Sequence, residues 1–500
     1  MIFMSLYEKL TEYCASDAYP FHMPGHKRRG ACMQDPFSFD ITEIDGFDNL
    51  HHAEGILKDA QERAAALYHS SETHFLVNGS TAGILSAILA CVPPGGLLLM
   101  ARNSHKSAFH AAGLRDIRTQ YLYPETGLNP ETGLNPQHAG ACAGAGYPAD
   151  LNGPIAHSCV EQVLSSGAPR PSAIFLTSPT YDGVVSDVKA IAALAHRYRI
   201  PLIVDEAHGA HFGMHPAFPP SSVSQGADIV IHSLHKTLPS LTQTALLHVN
   251  GDLVDRRQLR SQLSVFQTSS PSYVLMASID SCVQQMASQG RELFESYVRI
   301  LKQFRARAHF AHIDLPETDD PSRILLVPHH ISARTLYDLL RDRYRLQSEM
   351  LAPSYVLMLS SVADTEDGFC RLLHALEEID RIPPQADPIQ IPEGGARSGQ
   401  ISESGALRRT HTDRPLVRAP IFRALNAQSE KVPFEDAADK VSAEYLYLYP
   451  PGIPLLAPGE EITPTLLQGT RKLLSAGYEL QGTEDHTLTS IWIMKEDTLS

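Results

Sequence analysis

Two neighbouring stretches of the chain, PLIVDEAHGA at residues 201–210 and DIVIHSLHK at residues 228–236, indicate the fold. Each contains a short apolar run typical of a buried strand, and polar residues follow it, with Asp205 after the first run and Lys236 after the second. Lysine is seldom buried without a partner or a function, so Lys236 is a surface charge, half of a structural ion pair, or a nucleophile. Because parallel strands end at one edge of a sheet, we expect the two side chains to emerge close together.

The same alternation of apolar runs and helix-like segments extends over about residues 55–250. THFLVNGS precedes TAGILSAILACV, GLLLMARNSHKS precedes AFHAAGL, and SAIFLTSPTYDG precedes VKAIAALAHRYR. Strands joined through helices predict an α/β fold with a mostly parallel sheet that is buried on both faces. Ligands bind at the carboxyl ends of such strands, so the polar residues after each strand are the candidate site residues.

Five hundred residues suggest more than one domain. The pattern predicts an N-terminal segment (1–54), a large domain (55–290), a smaller α/β domain (291–381), a flexible linker (382–415) and a C-terminal domain (416–500). The linker is predicted from its Pro, Gly, Ser and charged residues, and a long helix is predicted at about 272–310. The tandem hexapeptide at 124–136 has too few copies for a solenoid and is interpreted as a loop expansion.

The composition excludes several classes of protein. A net charge of −15 argues against a nucleic-acid or anionic-membrane partner, and no apolar run reaches the roughly 18 residues of a membrane span. Seven scattered cysteines without a C-x-x-C pattern predict a reduced, cytoplasmic chain rather than a disulfide or zinc scaffold.

A third strand end supplies a candidate anion site. The run FLVNGSTAGIL leads through Gly79, Ser80 and Thr81 into a predicted helix, whose free N–H groups suit a phosphate. Alone, these residues are often only a helix cap, and Asp205 with Lys236 alone could form a structural salt bridge. Together they match the needs of pyridoxal phosphate, in which Asp205 would hold the pyridine nitrogen and Lys236 would form a Schiff base.

Three histidines stand beside these groups. His105, in the segment NSHKS, is either a loop histidine or a ring that stacks on a flat cofactor. His208 would hold the strand-end carboxylate or lie near the cofactor, and His235 would reach a phosphate oxygen or a substrate carboxylate. The pair His208 and His211 has no third ligand nearby in the sequence, so no metal site is predicted.

Over nearly its whole length the chain resembles the bacterial fold-type-I ornithine/lysine/arginine decarboxylases in their shorter form. The segments that carry the resemblance are FHMPGHKRRG (21–30), DITEIDGFDNLHHAEGILKDAQ (40–61), VNGSTAG (77–83), SHKS (104–107), TSPTYDGVV (177–185), VDEAHGAHFG (204–213), SLHKTLPSLTQ (233–243), QTSSPSY (267–273) and YPPGIPLLAPGE (449–460). Departures at Ser104 and Asp182 are modest and remove no catalytic part.

The resemblance implies a role for each matching residue. The catalytic group would be Lys236, His235, His105 and Asp205. The cofactor-binding residues would be Gly79, Ser80, Thr81, His105, Asp205, His208, Ser233, His235 and Lys236. The resemblance further implies a homodimer or a larger assembly with shared active sites, in which Thr268, Ser269 or Ser270 reaches the phosphate of the neighbour.

The implied reaction is the decarboxylation of a basic amino acid in polyamine metabolism, arginine to agmatine in the first place, with lysine or ornithine as alternatives. Another pyridoxal-phosphate reaction, such as transamination, stays open. So does a non-catalytic regulator, although retention of Lys236 and Asp205 argues against it. The candidates for recognising the distal group of the substrate are Glu43, Asp45, Glu349 and Glu460.

Overall fold

The computed structural model describes residues 11–29, 35–125, 148–383 and 414–495, apart from residues 12, 39 and 149. Most of the tandem repeat at 124–136 and nearly all of the predicted linker at 382–415 lie outside the described residues.

Helices and strands alternate through the first half of the chain. The helices are α1 Ile56–Tyr68, α2 Gly79–Cys91, α3 Lys106–Leu114, α4 His157–Ser165, α5 Val188–Arg197, α6 Leu234–Thr237, α7 Arg256–Phe266, α8 Tyr273–Arg307, α9 Ala333–Asp342, α10 Glu366–Ile379, α11 Ile421–Asn426 and α12 Pro464–Ser475. The strands are β1 Tyr19–Phe21, β2 Glu72–Leu76, β3 Leu97–Ala101, β4 Arg118–Leu122, β5 Ala173–Thr177, β6 Leu202–Asp205, β7 Ile229–Ser233, β8 Ala245–Val249, β9 Ile313–Asp314, β10 Arg323–Pro328, β11 Leu346–Ser348, β12 Met350–Leu351, β13 Val356–Leu359, β14 Ser429–Pro433, β15 Leu446–Leu448, β16 Pro454–Leu456, β17 Leu480–Gln481 and β18 Ser490–Met494.

A seven-stranded sheet with the order β2-β8-β7-β6-β5-β3-β4 forms the centre of the large unit. The pairs from β7 through β6, β5 and β3 to β4 are parallel, whereas β8 runs antiparallel to β2 and β7. Successive strand residues face opposite sides, so Ile203 packs into one apolar cluster and Val204 into another. Helices therefore cover both faces, and the predicted α/β fold class with a mostly parallel sheet is confirmed.

The long helix predicted at about 272–310 is observed as α8, and the hydroxyl of Ser272 accepts a hydrogen bond from Leu275 N at its start. The helix packs its apolar side into the cluster that joins the large unit to the small sheet, which has the order β12-β13-β10-β9. The domain boundary predicted at residue 290 falls inside this helix, so that division of the chain stays a prediction.

Two further features complete the described part of the chain. Strand β1 pairs in parallel with β11, which ties the N-terminal segment to the small unit. The C-terminal unit consists of α11, α12 and two small sheets, β14-β18 and β16-β15-β17. Among the residues described, the structure contains no helix with the length and apolarity needed to cross a membrane.

Candidate active site

The carboxyl ends of β6 and β7 bring Asp205 and Lys236 to one edge of the central sheet. The two strands are in parallel register with Asp205 opposite Ile231, and the chain turns after β7 directly into α6, which carries Lys236. Lys236 Nζ lies 2.9 Å from His208 Nε2, and the buried Asp205 accepts a hydrogen bond from Ala207 N at 3.1 Å. The structure thus brings together the predicted lysine, carboxylate and histidine.

The electrostatics of this edge lower the pKa of Lys236 below that of an exposed lysine. Burial lowers the pKa of Lys236, the charges of Asp205 and Glu349 oppose that shift, and Arg323 adds to it. Burial raises the pKa of Asp205, and the Lys236 charge counteracts the rise. An amine with a lowered pKa has a larger neutral, nucleophilic fraction near pH 7 than an exposed lysine.

The start of α2 has free backbone donors that could hold an anion. Gly79 adopts φ +73°, a conformation that favours glycine, and Asn78 supplies no side-chain cap to the first turn. The uncapped N–H groups of a first turn attract anions. The Ser233 hydroxyl, at the end of β7, is buried and has no hydrogen-bond partner among the described residues. A buried polar atom normally has a partner, so this hydroxyl is available to a bound group.

His105 caps α3 and has a fixed ring. Ser107 N lies 3.3 Å from His105 Nδ1, and the Ser107 hydroxyl lies 2.8 Å from the same atom. Burial lowers the pKa of His105 to about 3, and the positive charges of Lys236 and Lys106 contribute to the shift. The ring is therefore neutral at pH 7. A neutral ring could stack on a flat cofactor without placing a charge beside it.

His235 and the 268–270 loop lie at the rim of this edge. His235 Nδ1 donates to the Thr244 carbonyl at 3.0 Å, and burial lowers the pKa of His235 to about 4. Thr268, Ser269 and Ser270 are exposed, and Thr268 N donates to the side-chain oxygen of Asn78 at 3.3 Å. Which hydroxyl of this loop reaches a neighbouring subunit stays a prediction.

The N-terminal motif FHMPGHK contacts α6, the short helix that carries Lys236, through a hydrogen bond that sequence analysis missed. Gly25 N donates to the His235 carbonyl at 2.7 Å. A Cβ atom added to Gly25 would lie 2.9 Å from Leu238 N and 2.9 Å from the Thr237 carbonyl carbon, so only glycine fits. The signal in the sequence was a glycine inside a quoted motif, but nothing in the motif names its partner.

A carboxylate on the small unit faces the same site. The Tyr181 hydroxyl and Met23 N, the latter at 2.8 Å, both donate to the Glu349 carboxylate. The Tyr181 ring centre lies 4.5 Å from that of His208. Glu349 also lines an open cavity of about 460 Å³, whose other lining residues are Tyr13, His22, Met23, Tyr337, Gln347 and Ser348. Sequence analysis named Glu349 as one candidate of four but missed its partners.

The other three acidic candidates have different surroundings. Glu460 is buried in a two-point ion pair with Arg102, with distances of 3.0 and 2.9 Å. Burial raises the pKa of Tyr273 and the charge of Glu43 adds to that rise, while Asp45 is exposed. Of the four, Glu349 is the one whose charge acts on Lys236.

Comparison with known proteins identifies the family. The family described as "Orn/Lys/Arg decarboxylase, major domain" matches residues 4–324, and its C-terminal domain matches residues 417–476. The chain belongs to the Orn/Lys/Arg decarboxylase family. Among similar proteins of this family are the arginine decarboxylases of Bacillus anthracis and Bacillus subtilis (strain 168), which are 31% and 30% identical to it. Each alignment covers 98% of this chain, and they cover 97% and 98% of the two relatives.

A solved structure agrees with this assignment at the level of the fold. The constitutive lysine decarboxylase of Escherichia coli matches with a TM-score of 0.70 at 18% identity, over 88% of this chain and 74% of that chain. The fold is the fold-type-I architecture of pyridoxal-phosphate enzymes, and the predicted amino-acid decarboxylase activity is confirmed by membership of the Orn/Lys/Arg decarboxylase family.

Proposed function

We propose that this chain decarboxylates arginine to agmatine with pyridoxal phosphate, with lysine and ornithine as the alternative substrates. The observation that carries the proposal is the position of the Lys236 amine at the sheet edge, 2.9 Å from His208 Nε2 and within the field of the buried Asp205. The full-length similarity to proteins named arginine decarboxylase supports arginine as the first choice.

The residues at this edge fit pyridoxal phosphate. The open start of α2 and the unpartnered Ser233 hydroxyl would take the phosphate, Asp205 the pyridine nitrogen, and Lys236 the aldehyde. The neutral His105 ring would cover one face of the cofactor. When bound, the cofactor supplies an electron sink for the carbanion that loss of CO₂ leaves behind.

The protein groups divide the work between charge and proton transfer. Asp205 has to stay ionised to keep a proton on the pyridine nitrogen, and the Lys236 charge favours that form against the effect of burial. A proton is then needed at the substrate α-carbon. His235, whose pKa is about 4, is neutral at pH 7 and holds its Nδ1 proton toward Thr244, so Lys236 is the better donor of the two.

Glu349 is our proposed partner for the distal cation of the substrate. Its carboxylate lines the open cavity, its charge reaches Lys236, and the Tyr181 hydroxyl and Met23 N hold it in place. A carboxylate held by two donors is preorganised to accept a guanidinium or ammonium group, and a guanidinium offers the two parallel donors that it binds best.

Assembly and location complete the proposal. The exposed hydroxyls at residues 268–270 lie beside the anion site, and we propose that a second copy of the chain contributes them to a shared site in a homodimer.

A cytoplasmic location is proposed from the cysteines, since Cys14, Cys91, Cys159, Cys282 and Cys370 are free thiols.

A panel of arginine, lysine and ornithine, with identification of the product, tests the proposal. We expect CO₂ and agmatine from arginine, less product from lysine or ornithine, and no keto acid. Glu349→Gln should raise the KM for arginine by roughly 10–100-fold, because the charged partner is lost. Keto-acid formation, or no turnover of any of the three, would contradict the proposed reaction.

A further inference from the structure

The YPPGIP motif of the C-terminal unit forms a turn over the start of α3; we refer to residues 449–454 as the C-terminal turn. Lys106 N donates to the Gly452 carbonyl at 3.0 Å, and Lys106 Nζ donates to the Tyr447 hydroxyl at 3.2 Å. The same ammonium lies 4.5 Å from the centre of the Tyr447 ring and 5.3 Å from that of Tyr449. Hydrogen bonds and cation–π contacts thus join the turn to the residue that follows His105.

Gly452 rests against the edge of the His105 ring. It adopts φ +81°, and a Cβ atom placed on it would lie 3.3 Å from His105 Cδ2 and 3.4 Å from His105 Nε2. Ser107 holds the ring at Nδ1, on the opposite side. The ring is therefore confined between α3 and the C-terminal turn, and a side chain at residue 452 would press on it and on the Tyr449 ring, whose Cδ2 would lie 3.2 Å from the added Cβ.

A buried ion pair fixes the C-terminal turn on its other side. Arg102, just after β3, makes the two-point pair with Glu460, and its guanidinium also donates to the carbonyls of Pro454 and Leu455. Glu460 in addition accepts a hydrogen bond from Ala457 N at 2.9 Å. A buried pair of this kind fixes the backbone around it, because the guanidinium N–H groups would lose their hydrogen bonds if the carbonyls or the carboxylate moved away.

We propose that the C-terminal turn positions the His105 ring against the cofactor. Gly452 and Lys106 are then positioning residues that act through His105, and the Arg102–Glu460 pair holds the turn in place. The inference rests on the proposed function, since the stacking role of His105 belongs to it. It gives the C-terminal unit a part in cofactor binding in addition to its own folding.

Gly452→Ala tests this against a matched control, Gly477→Ala. Gly477 lies in the same unit and has nearly the same φ, +79°, so the two variants should carry similar backbone strain. The atom nearest to a Cβ added at Gly477 is 3.9 Å away, so this variant creates no close contact. We expect Gly452→Ala to change the visible circular dichroism of bound pyridoxal phosphate and to weaken its affinity about tenfold, because small displacements of a positioned group are costly. Gly477→Ala should retain the signature and the affinity of the unaltered protein.

A second readout does not depend on activity or on the cofactor. In the cofactor-free protein, the Lys106 amide should exchange its hydrogen faster in Gly452→Ala than in Gly477→Ala, because its acceptor is the Gly452 carbonyl. Should Gly452→Ala not fold, Lys106→Met gives the same test, and Lys106→Arg, which keeps a cation over the Tyr447 ring, should restore the dichroism.

The outcomes separate the two proposals. If the unaltered protein binds no pyridoxal phosphate, the proposed function is wrong and the positioning role is wrong with it. If the unaltered protein binds the cofactor and the two glycine variants give identical dichroism, affinity and Lys106 exchange, only the positioning role is overturned.

Discussion

Lys27 is buried and Lys236 is half-buried, and their surroundings differ. Lys27 Nζ donates to three backbone carbonyls at 2.8 to 3.1 Å and lies 3.8 Å from the Asp364 carboxylate. Lys236 Nζ has one hydrogen-bond partner among the described residues, the His208 ring nitrogen. Burial lowers the pKa of both lysines, so the direction of this shift does not distinguish them.

The number of acceptors distinguishes them. An ammonium group has three N–H donors, and the site around Lys27 satisfies all three and adds a carboxylate, which is what a charged structural lysine requires. The site around Lys236 offers a single neutral partner and therefore leaves the nitrogen lone pair accessible once the proton is lost. The number of acceptors thus separates a lysine that stabilises the fold from the one that we propose forms a covalent bond.

The largest expected effect is on turnover. Lys236→Ala should reduce decarboxylation on the order of 10³-fold or more, because the covalent anchor and the proposed proton donor are both lost. Borohydride reduction of the unaltered protein with pyridoxal phosphate should attach the cofactor to the peptide that contains Lys236, as measured by mass spectrometry. Turnover retained in Lys236→Ala would disprove the covalent role.

The second effect is on stability and should be larger for Lys27 than for Lys236. Lys27→Met should lower the free energy of unfolding by about 3–5 kcal/mol, because it leaves the buried Asp364 without its cation. Lys236→Met should lower it by less in the cofactor-free protein, because this change removes one hydrogen bond, to His208, and an attraction to Asp205 that is not a direct ion pair. Urea unfolding of the two variants measures the difference, and equal losses would refute the comparison.

The smallest effect is on chemical reactivity. At pH 7.5, reductive labelling of the cofactor-free protein should modify Lys236 before the exposed lysines, because its lowered pKa gives it more neutral amine. The labelling should fall as the pH drops through that pKa, which lies below the ordinary 10.5. Lys27 should stay unlabelled in the folded protein because its donors are engaged. Peptide mapping at several pH values decides the matter, and preferential labelling of Lys27 would reverse the assignment.

Sequence analysis located the parts of the site that lie at transitions between elements. Asp205 and Lys236 follow apolar runs, and Gly79 begins a helix, so local patterns predict their places, and the structure brings Asp205 and Lys236 to one sheet edge. The sheet was predicted as mostly parallel, but the antiparallel course of β8 was not, because strand direction is set by the route of the chain.

The contacts that sequence analysis missed join residues far apart in the chain. Tyr181 and Glu349 are 168 residues apart, and Met23 and Glu349 are 326 residues apart. A motif predicts that its residues matter, but it carries no information about which distant element packs against it. The contact of Gly452 with His105 likewise depends on how the C-terminal unit docks on α3.

The packing of Gly25 has a consequence for the order of events during synthesis. Gly25 N binds the carbonyl of His235, and the Gly25 carbonyl accepts a hydrogen bond from the Ser361 hydroxyl, 336 residues further along the chain. A chain emerging from the ribosome therefore completes the anchoring of its first motif only when the small unit has been made. A chain that ends before Ser361 should therefore keep the contact of Gly25 with the helix that carries Lys236 and lack its contact with the small unit.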